Sequence, residues 1–250
     1  MEIRLGVGMP TGMSPRLRRC ALTIMLIGGM LVTAGLPRPV QAADPVRQVV
    51  RPLAYHATVY NGELVGSAFA LAPGIAVTNG HVVEGLAPGS DVILAASASD
   101  IRVTARILAI SAIMDLAVLS VPPGLIAPVG AGNSRAGAGL AVSAAGVDAS
   151  GPALPRRALK GEVLDPHIDV AAFGPGLVLR LPGVRPGFSG GPVLDGQGAL
   201  VGMIAAIRPG RAAAATLSGF SPARARPASE EALVLRAPEL RAEVRRLIGD

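Results

Sequence analysis

The chain has 250 residues, with 23 Lys and Arg against 17 Asp and Glu, a formal charge of +6, half of its residues hydrophobic, one cysteine and no tryptophan. A single cysteine excludes a disulfide-stapled scaffold, and a chain of this length can bury a sizeable core without one. Of the +6, the first 42 residues hold +4, so the remainder is nearly neutral and offers no electrostatic reason for a nucleic-acid partner; none is expected.

Those first 42 residues read as an export signal. Arg16, Arg18 and Arg19 form a basic region, residues 21–36 are uncharged and apolar, and Val40-Gln41-Ala42 carries small residues where a signal peptidase reads them. The cut is placed after Ala42. The apolar run is shorter than the ~20 residues a spanning helix requires. Left uncleaved, it would act as a membrane anchor. Cys20 lies upstream of the run, the wrong place for a lipoprotein cysteine. The expected location is periplasmic or secreted, with membrane contact only if the segment is retained.

Beyond it the chain is a series of short apolar runs broken by Gly, Pro, Asn or Asp. Candidate strands are 57–60, 66–71, 75–78, 91–95, 103–110 and 116–121, closed off by Pro122-Pro123-Gly124. A second set follows at 140–145, 158–164, 176–181, 192–194, 199–206 and 232–235. Such spacing predicts an antiparallel barrel or sandwich and does not choose between them. Residues 208–229, rich in Ala, Arg, Pro, Gly and Ser, read as a long surface loop. Leu240, Val244, Leu247 and Ile248 recur at helical spacing after Pro238, with Arg241, Glu243, Arg245 and Arg246 between them, and predict a terminal helix. A weaker helical turn is read around His81-Val82-Val83-Glu84.

Gly187-Phe188-Ser189-Gly190-Gly191-Pro192 is the segment with a chemical consequence. A serine among glycines can expose its hydroxyl while neighbouring backbone N–H groups face a substrate carbonyl. The hydroxyl is a weak nucleophile until a histidine, oriented by a carboxylate, takes its proton. A turn serine needs one glycine; this one has Gly187, Gly190 and Gly191 around it. His81 follows Asn79-Gly80, a sharp exit from a strand, and Asp115 opens the apolar run Leu116-Ala117-Val118-Leu119, where a carboxylate must accept hydrogen bonds to be tolerated. The other histidines fit less well. His56 has no serine motif near it, and His167, after Asp165-Pro166, reads as a solvated turn residue or one lining the substrate cleft.

The segments Gly66-Ser67-Ala68-Phe69, Val77-Thr78-Asn79-Gly80-His81-Val82-Val83, Asp115-Leu116-Ala117-Val118-Leu119 and Pro186-Gly187-Phe188-Ser189-Gly190-Gly191-Pro192-Val193 resemble a trypsin-like serine protease, most closely the bacterial Deg/HtrA-like branch. Gly132-Asn133-Ser134, with Gly139 and Gly146, resembles the opening of that branch's second barrel. The resemblance covers residues 49–235. It implies an all-β, chymotrypsin-like fold of two antiparallel six-stranded barrels with a short terminal helix, divided as 1–42 signal peptide, 43–130 first barrel, 131–236 second barrel and 237–250 helix. It further implies Ser189 as nucleophile, His81 as general base and acid, Asp115 as orienter, and the N–H groups of Gly187 and Ser189 as oxyanion hole. A specificity pocket is expected from Gly183, Val184 and Arg185 and the strand Met203-Ile204-Ala205, whose apolar character suits a small or medium aliphatic side chain. Arg185 points outward or favours acidic substrates.

Two departures stand out. Phe188 occupies the place of an Asp in the animal enzymes, where it pairs with a newly cut N-terminus, and usually of an Asn in the HtrA-like branch. Nothing resembling that N-terminus is read at the start of the expected mature chain, so no zymogen cleavage of that kind is expected. The loop must then be ordered by other contacts, or only when substrate binds. No PDZ-like domain is read after the second barrel. The expected function is an exported serine endopeptidase acting on proteins or peptides without metal or cofactor. The alternatives are a catalytically silent binding module on the same fold and an esterase using the same triad, although the strand–turn–helix context of a hydrolase elbow is missing.

Overall fold

The computed structural model describes residues 51–62, 64–170, 173–208 and 229–249; residues 1–42, read above as an export signal, and residues 209–228 of the expected surface loop lie outside them. A 3-10 turn at Pro52–Tyr55 leads into β1 (His56–Asn61), β2 (Leu64–Ala72), β3 (Ile75–Thr78), β4 (Asp91–Ala96), β5 (Arg102–Ile110) and β6 (Ala117–Ser120). These close an antiparallel barrel in the order β1-β2-β3-β6-β5-β4. A second barrel follows, from β7 (Ala141–Val147), β8 (Arg156–Val170), β9 (Gly174–Val184), β10 (Pro192–Asp195), β11 (Leu200–Arg208) and β12 (Ser229–Arg236), closed in the order β10-β11-β12-β9-β8-β7. Helix α1 (Ala237–Ile248) ends the chain. Of the two architectures that the strand spacing left open, the barrel is the one formed.

Alternation puts the small aliphatics inside. Along β5 the side chains of Ala105 and Ile107 are buried while Arg102, Thr104 and Arg106 face water, the period-2 signature of a half-buried strand. With so few aromatic residues, three clusters of Ala, Val, Leu and Ile do the packing, and Phe69 and Phe188 are the largest fully buried side chains. One cluster fills each barrel. The third joins them: Phe69, Val77 and Val118 meet Leu194, Met203 and Leu235, with Leu240 and Val244 of α1 alongside.

Two elements differ from the sequence reading. β8 runs through Asp165-Pro166, which reads as a turn; the strand accommodates the proline, which lacks a ladder donor, where its pairing with β9 slips between Val163 and Asp165 and again before Ile168. His167 therefore lies in a strand. On α1, Glu243 belongs to the polar set by spacing but is only 4% exposed, whereas Ile248 is 38% exposed. Arg246 donates two hydrogen bonds to the Glu243 carboxylate, each 2.7 Å long, and the Ser111 hydroxyl donates a third. These partners hold its carboxyl below the usual carboxylate range despite burial, the Arg246 contact first. Ser111 Oγ also accepts the N–H groups of Ile113 and Met114, at 3.1 Å each, so the helix grips the loop that leads into Asp115.

Candidate active site

β3 ends at Thr78, and a 3-10 turn at Gly80–Val83 carries His81 away from the barrel wall. Asp115 sits just before β6 and meets this turn twice. Its Oδ1 accepts the His81 backbone N–H at 3.0 Å, and its Oδ2 lies 2.8 Å from His81 Nδ1. A carboxylate can only accept, so Nδ1 carries the proton and Nε2 is left as a base. Asn79 fixes the other side of Asp115 by donating to its backbone carbonyl at 2.8 Å. The carboxylate is 8% exposed and the imidazole 44%, a screened carboxylate behind an accessible ring. Beside them opens a cleft of about 510 Å³, lined by His81, Leu86, Ile113 and Met114 among others, with Ile113 69% exposed.

The serine loop comes from the second barrel and is seated on the first. The Ser67 N–H donates to the Ser189 carbonyl at 2.8 Å, and the Ser67 carbonyl lies so close to Gly190 that a Cβ there would sit 1.9 Å from it. With φ +87° as well, position 190 admits only glycine. Val82, the residue after His81, and the Ser189 carbonyl both lie against Gly66, which brings the histidine turn and the serine loop to one place.

Every carbonyl from Pro186 to Ser189 is held. Pro186 O accepts from Ala149 N–H at 2.8 Å, Gly187 O from the Ser67 hydroxyl at 2.7 Å, Phe188 O from Gly191 N–H at 2.9 Å, and Ser189 O from Ser67 as above. The Phe188 N–H donates to Arg185 O at 3.2 Å. Among the described residues, the N–H groups of Gly187 and Ser189 donate to no protein acceptor. In trans peptides N–H and C=O point oppositely, so these two donors are aimed away from Ala149 and Gly191, which anchor the carbonyls. The Ser189 hydroxyl donates to the Ala205 carbonyl at 3.3 Å, and among the described residues no hydrogen bond joins it to His81. Ala205 is available because it is skipped at a bulge between Ile204 and Ala206 in the β11–β12 ladder.

Phe188, the departure in sequence, points inward. It is fully buried among Val142, Leu181, Val193 and Ile204 of the second barrel, with its ring on Gly146: a Cβ at 146 would come within 2.4 Å of the ring. The aromatic side chain thus anchors the loop in the core of the second barrel.

The remaining expected residues are distributed as follows. Gly183 and Val184 end β9, with Val184 buried, and Arg185 follows half-buried. Met203 and Ile204 are fully buried on opposite faces of β11, one in the inter-barrel cluster and the other in the second barrel. Ala205 reaches the site through its carbonyl. His167 is exposed on β8, its N–H bonded to Asp165 Oδ1 at 3.0 Å.

His56 is where sequence reasoning missed a feature. It is fully buried, with Nδ1 2.6 Å from Ser97 Oγ and Nε2 2.8 Å from Ser67 Oγ. Burial, reinforced by the Arg156 charge, lowers its pKa to about 3. The unfolded chain takes up this proton near pH 6.5 and the folded chain only near pH 3, so stability falls as pH drops through that window. Between pH 6.5 and 4.5, above the carboxylate range, the loss should be about 2–3 kcal/mol. Urea unfolding across this range measures it, and His56→Gln should flatten the slope.

The chain matches the trypsin-like peptidase domain family over residues 66–203, more than half its length. No curated protein matches it. Among solved structures, the inactive form of the Rv3671c protease of M. tuberculosis is similar with a TM-score of 0.57 and 20% identity, over 78% of this chain and 90% of that one. The HtrA-type protease AlgW with tripeptide is similar at TM-score 0.61 and 19% identity, over 78% of this chain and 60% of its own. For the serine endoprotease from Yersinia pestis the values are 0.60 and 18%, over 79% and 64%. At such identities the likeness carries the fold, and this chain spans less than two thirds of the last two proteins.

Proposed function

The chain belongs to the trypsin-like peptidase domain family, and on that premise we propose that it is an exported serine endopeptidase acting through His81, Asp115 and Ser189. The observation that carries this reading is the loop in which every carbonyl from Pro186 to Ser189 is tied while, among the described residues, the Gly187 and Ser189 N–H groups have no acceptor. Donors fixed before a substrate arrives need no reorganisation when charge develops, and each is typically worth ~3 kcal/mol of transition-state stabilisation.

The Ser189 hydroxyl swings from the Ala205 carbonyl toward His81 Nε2, which takes its proton as Oγ adds to the scissile carbonyl. The carbonyl oxygen, now negative, is received by the two N–H groups. Asp115 stabilises the imidazolium through Nδ1–H. Collapse expels the amine, which leaves with the proton from Nε2, and an acyl-enzyme remains. Water, deprotonated by the same nitrogen, then hydrolyses the ester and restores Ser189. Proteins or peptides are the substrate class that this reading implies. Export rests on the Arg16–Arg19 basic region and the Val40-Gln41-Ala42 site, and N-terminal sequencing of the mature protein checks the cut after Ala42.

The test of the activity is intact mass after fluorophosphonate treatment. One adduct is expected on the native chain and none on Ser189→Ala, with labelling of His81→Ala slowed by at least a hundredfold, the usual scale of general-base assistance (~10²–10⁴). A native protein that takes up no adduct is a silent binding module on this fold; labelling without hydrolysis of any peptide, together with turnover of simple esters, is the esterase outcome.

A further inference from the structure

The loop carrying Ser189 is held by a polar chain that begins in the other barrel. Ser97, His56 and Ser67 are contributed by the first barrel and its β4–β5 connection, and Ser67 ends on the Gly187 carbonyl in the second. The direction of every proton in this chain can be deduced. A carbonyl only accepts, so the one hydroxyl proton of Ser67 goes to Gly187 O, at 2.7 Å. Ser67 Oγ must then accept from its other neighbours, the Val147 N–H at 3.2 Å and His56 Nε2 at 2.8 Å. His56 therefore carries its proton on Nε2. Its Nδ1 is the acceptor, and the Ser97 hydroxyl, 2.6 Å away, donates to it. For the neutral ring, Ser97 O–H to His56 Nδ1, His56 Nε2–H to Ser67 Oγ and Ser67 O–H to Gly187 O is the only assignment that gives every contact one donor and one acceptor; the reverse would set Ser67 Oγ and Gly187 O against each other as two acceptors.

We propose that His56 and Ser67 are positioning residues for the oxyanion loop, fixing the Gly187–Phe188 peptide from the first barrel so that the flanking Gly187 and Ser189 N–H groups stay aimed at the substrate. The inference rests on the reading of those two groups as oxyanion donors. A serine alone would not suffice, because its hydroxyl is free to rotate toward any nearby acceptor. The His56 N–H occupies one acceptor lobe of Oγ and the Val147 N–H another, which leaves the proton only the Gly187 direction. A neutral, buried imidazole is suited to this, since it presents one donor and one acceptor in fixed positions. It also keeps this pattern well into the acidic range, because burial holds its pKa down to about 3. The grip has a second jaw: the Phe188 N–H of the same peptide is bonded to Arg185 O. Neither His56 nor Ser67 touches substrate; both act through the backbone of residue 187.

The test uses the full chain with active sites counted by fluorophosphonate titration. Ser67→Ala and His56→Leu should lower kcat per titrated site by about tenfold or more, given that a ~1 Å misplacement can cost ~10²-fold, with KM changed less than about twofold. His56→Gln, which keeps an N–H donor at the Nε2 position, should retain most of kcat. A purely structural role would lower the melting temperature of all three and leave kcat per site alone. A second readout needs no turnover: amide exchange at residues 187–189 should speed up in Ser67→Ala and His56→Leu while the barrel strands keep their protection. If the native chain hydrolyses nothing, the proposed activity fails and the exchange measurement still decides whether the relay orders the loop. Unchanged kcat per site, or unchanged exchange at 187–189 in a folded Ser67→Ala or His56→Leu protein, overturns the proposal.

Discussion

Asp115→Asn should lower kcat by about 10⁴ while leaving the fold and KM nearly intact, an effect of the size known for removing the orienting charge from such a triad. The reason lies in how both carboxylate oxygens are used. Oδ1 accepts the His81 backbone N–H and Oδ2 faces Nδ1. An asparagine has one oxygen for these two places. If the oxygen meets the backbone N–H, the amide NH₂ meets the ring and forces Nδ1 to become the acceptor, which moves the ring proton to Nε2. A protonated Nε2 cannot take the Ser189 proton. If the amide is flipped, two N–H donors confront each other at the His81 backbone. The first arrangement costs less, so the protein stays folded with the wrong tautomer. Steady-state kinetics of Asp115→Asn on a peptide substrate, with thermal unfolding alongside, checks this. A kcat within tenfold of native would remove Asp115 from the role.

The barrels were legible because their cores are made by alternation, and alternation is written in the sequence. Each expected strand overlaps an observed one, and the run at 75–78 coincides with β3. Extents were less legible. The Asp165-Pro166 pair looks like a turn locally, yet β9 supplies a partner long enough to carry β8 past it by slipping register. Likewise Glu243 has a surface residue's spacing and is drawn inside by Arg246 and Ser111, partners on a neighbouring turn and a distant loop. The serine, histidine and aspartate segments could be named because each sits in a recognisable local string. His56 could not, since its partners Ser97 and Ser67 are 41 and 11 residues away and nothing local marks it as part of the site. A buried polar network is a property of the closed barrel, and Ser67 within Gly66-Ser67-Ala68-Phe69 is the one member of it that lies in a recognisable string.

Phe188 shows how a site can keep its geometry while losing the residue type that usually secures it. An ion pair at this place would cost desolvation of two charges; a phenylalanine in the second barrel obtains its order from burial alone. The loop is then part of the core, and its disturbance should be felt in stability as well as in rate. Phe188→Ala should destabilise the protein by about 3–5 kcal/mol, the usual cost of emptying a buried aromatic site. It should also lower kcat by more than tenfold, because the residue lies between the two N–H groups and its peptide carries one of them. The two losses have different origins and can be separated: urea unfolding reads the first, and kcat per titrated site at low temperature, where the folded form predominates, reads the second. Gly146 supplies the internal check. A Cβ at 146 would sit 2.4 Å from the Phe188 ring and 2.9 Å from its Cα, so Gly146→Ala must push the aromatic side chain off its seat. Combined with Phe188→Ala, part of that clash disappears, and the double variant should be less damaged than the sum of the singles by about 1 kcal/mol or more. Additive losses, or a Phe188→Ala enzyme with native kcat per site, would mean that the bonds from Ala149, Ser67 and Gly191 order the loop without the aromatic anchor.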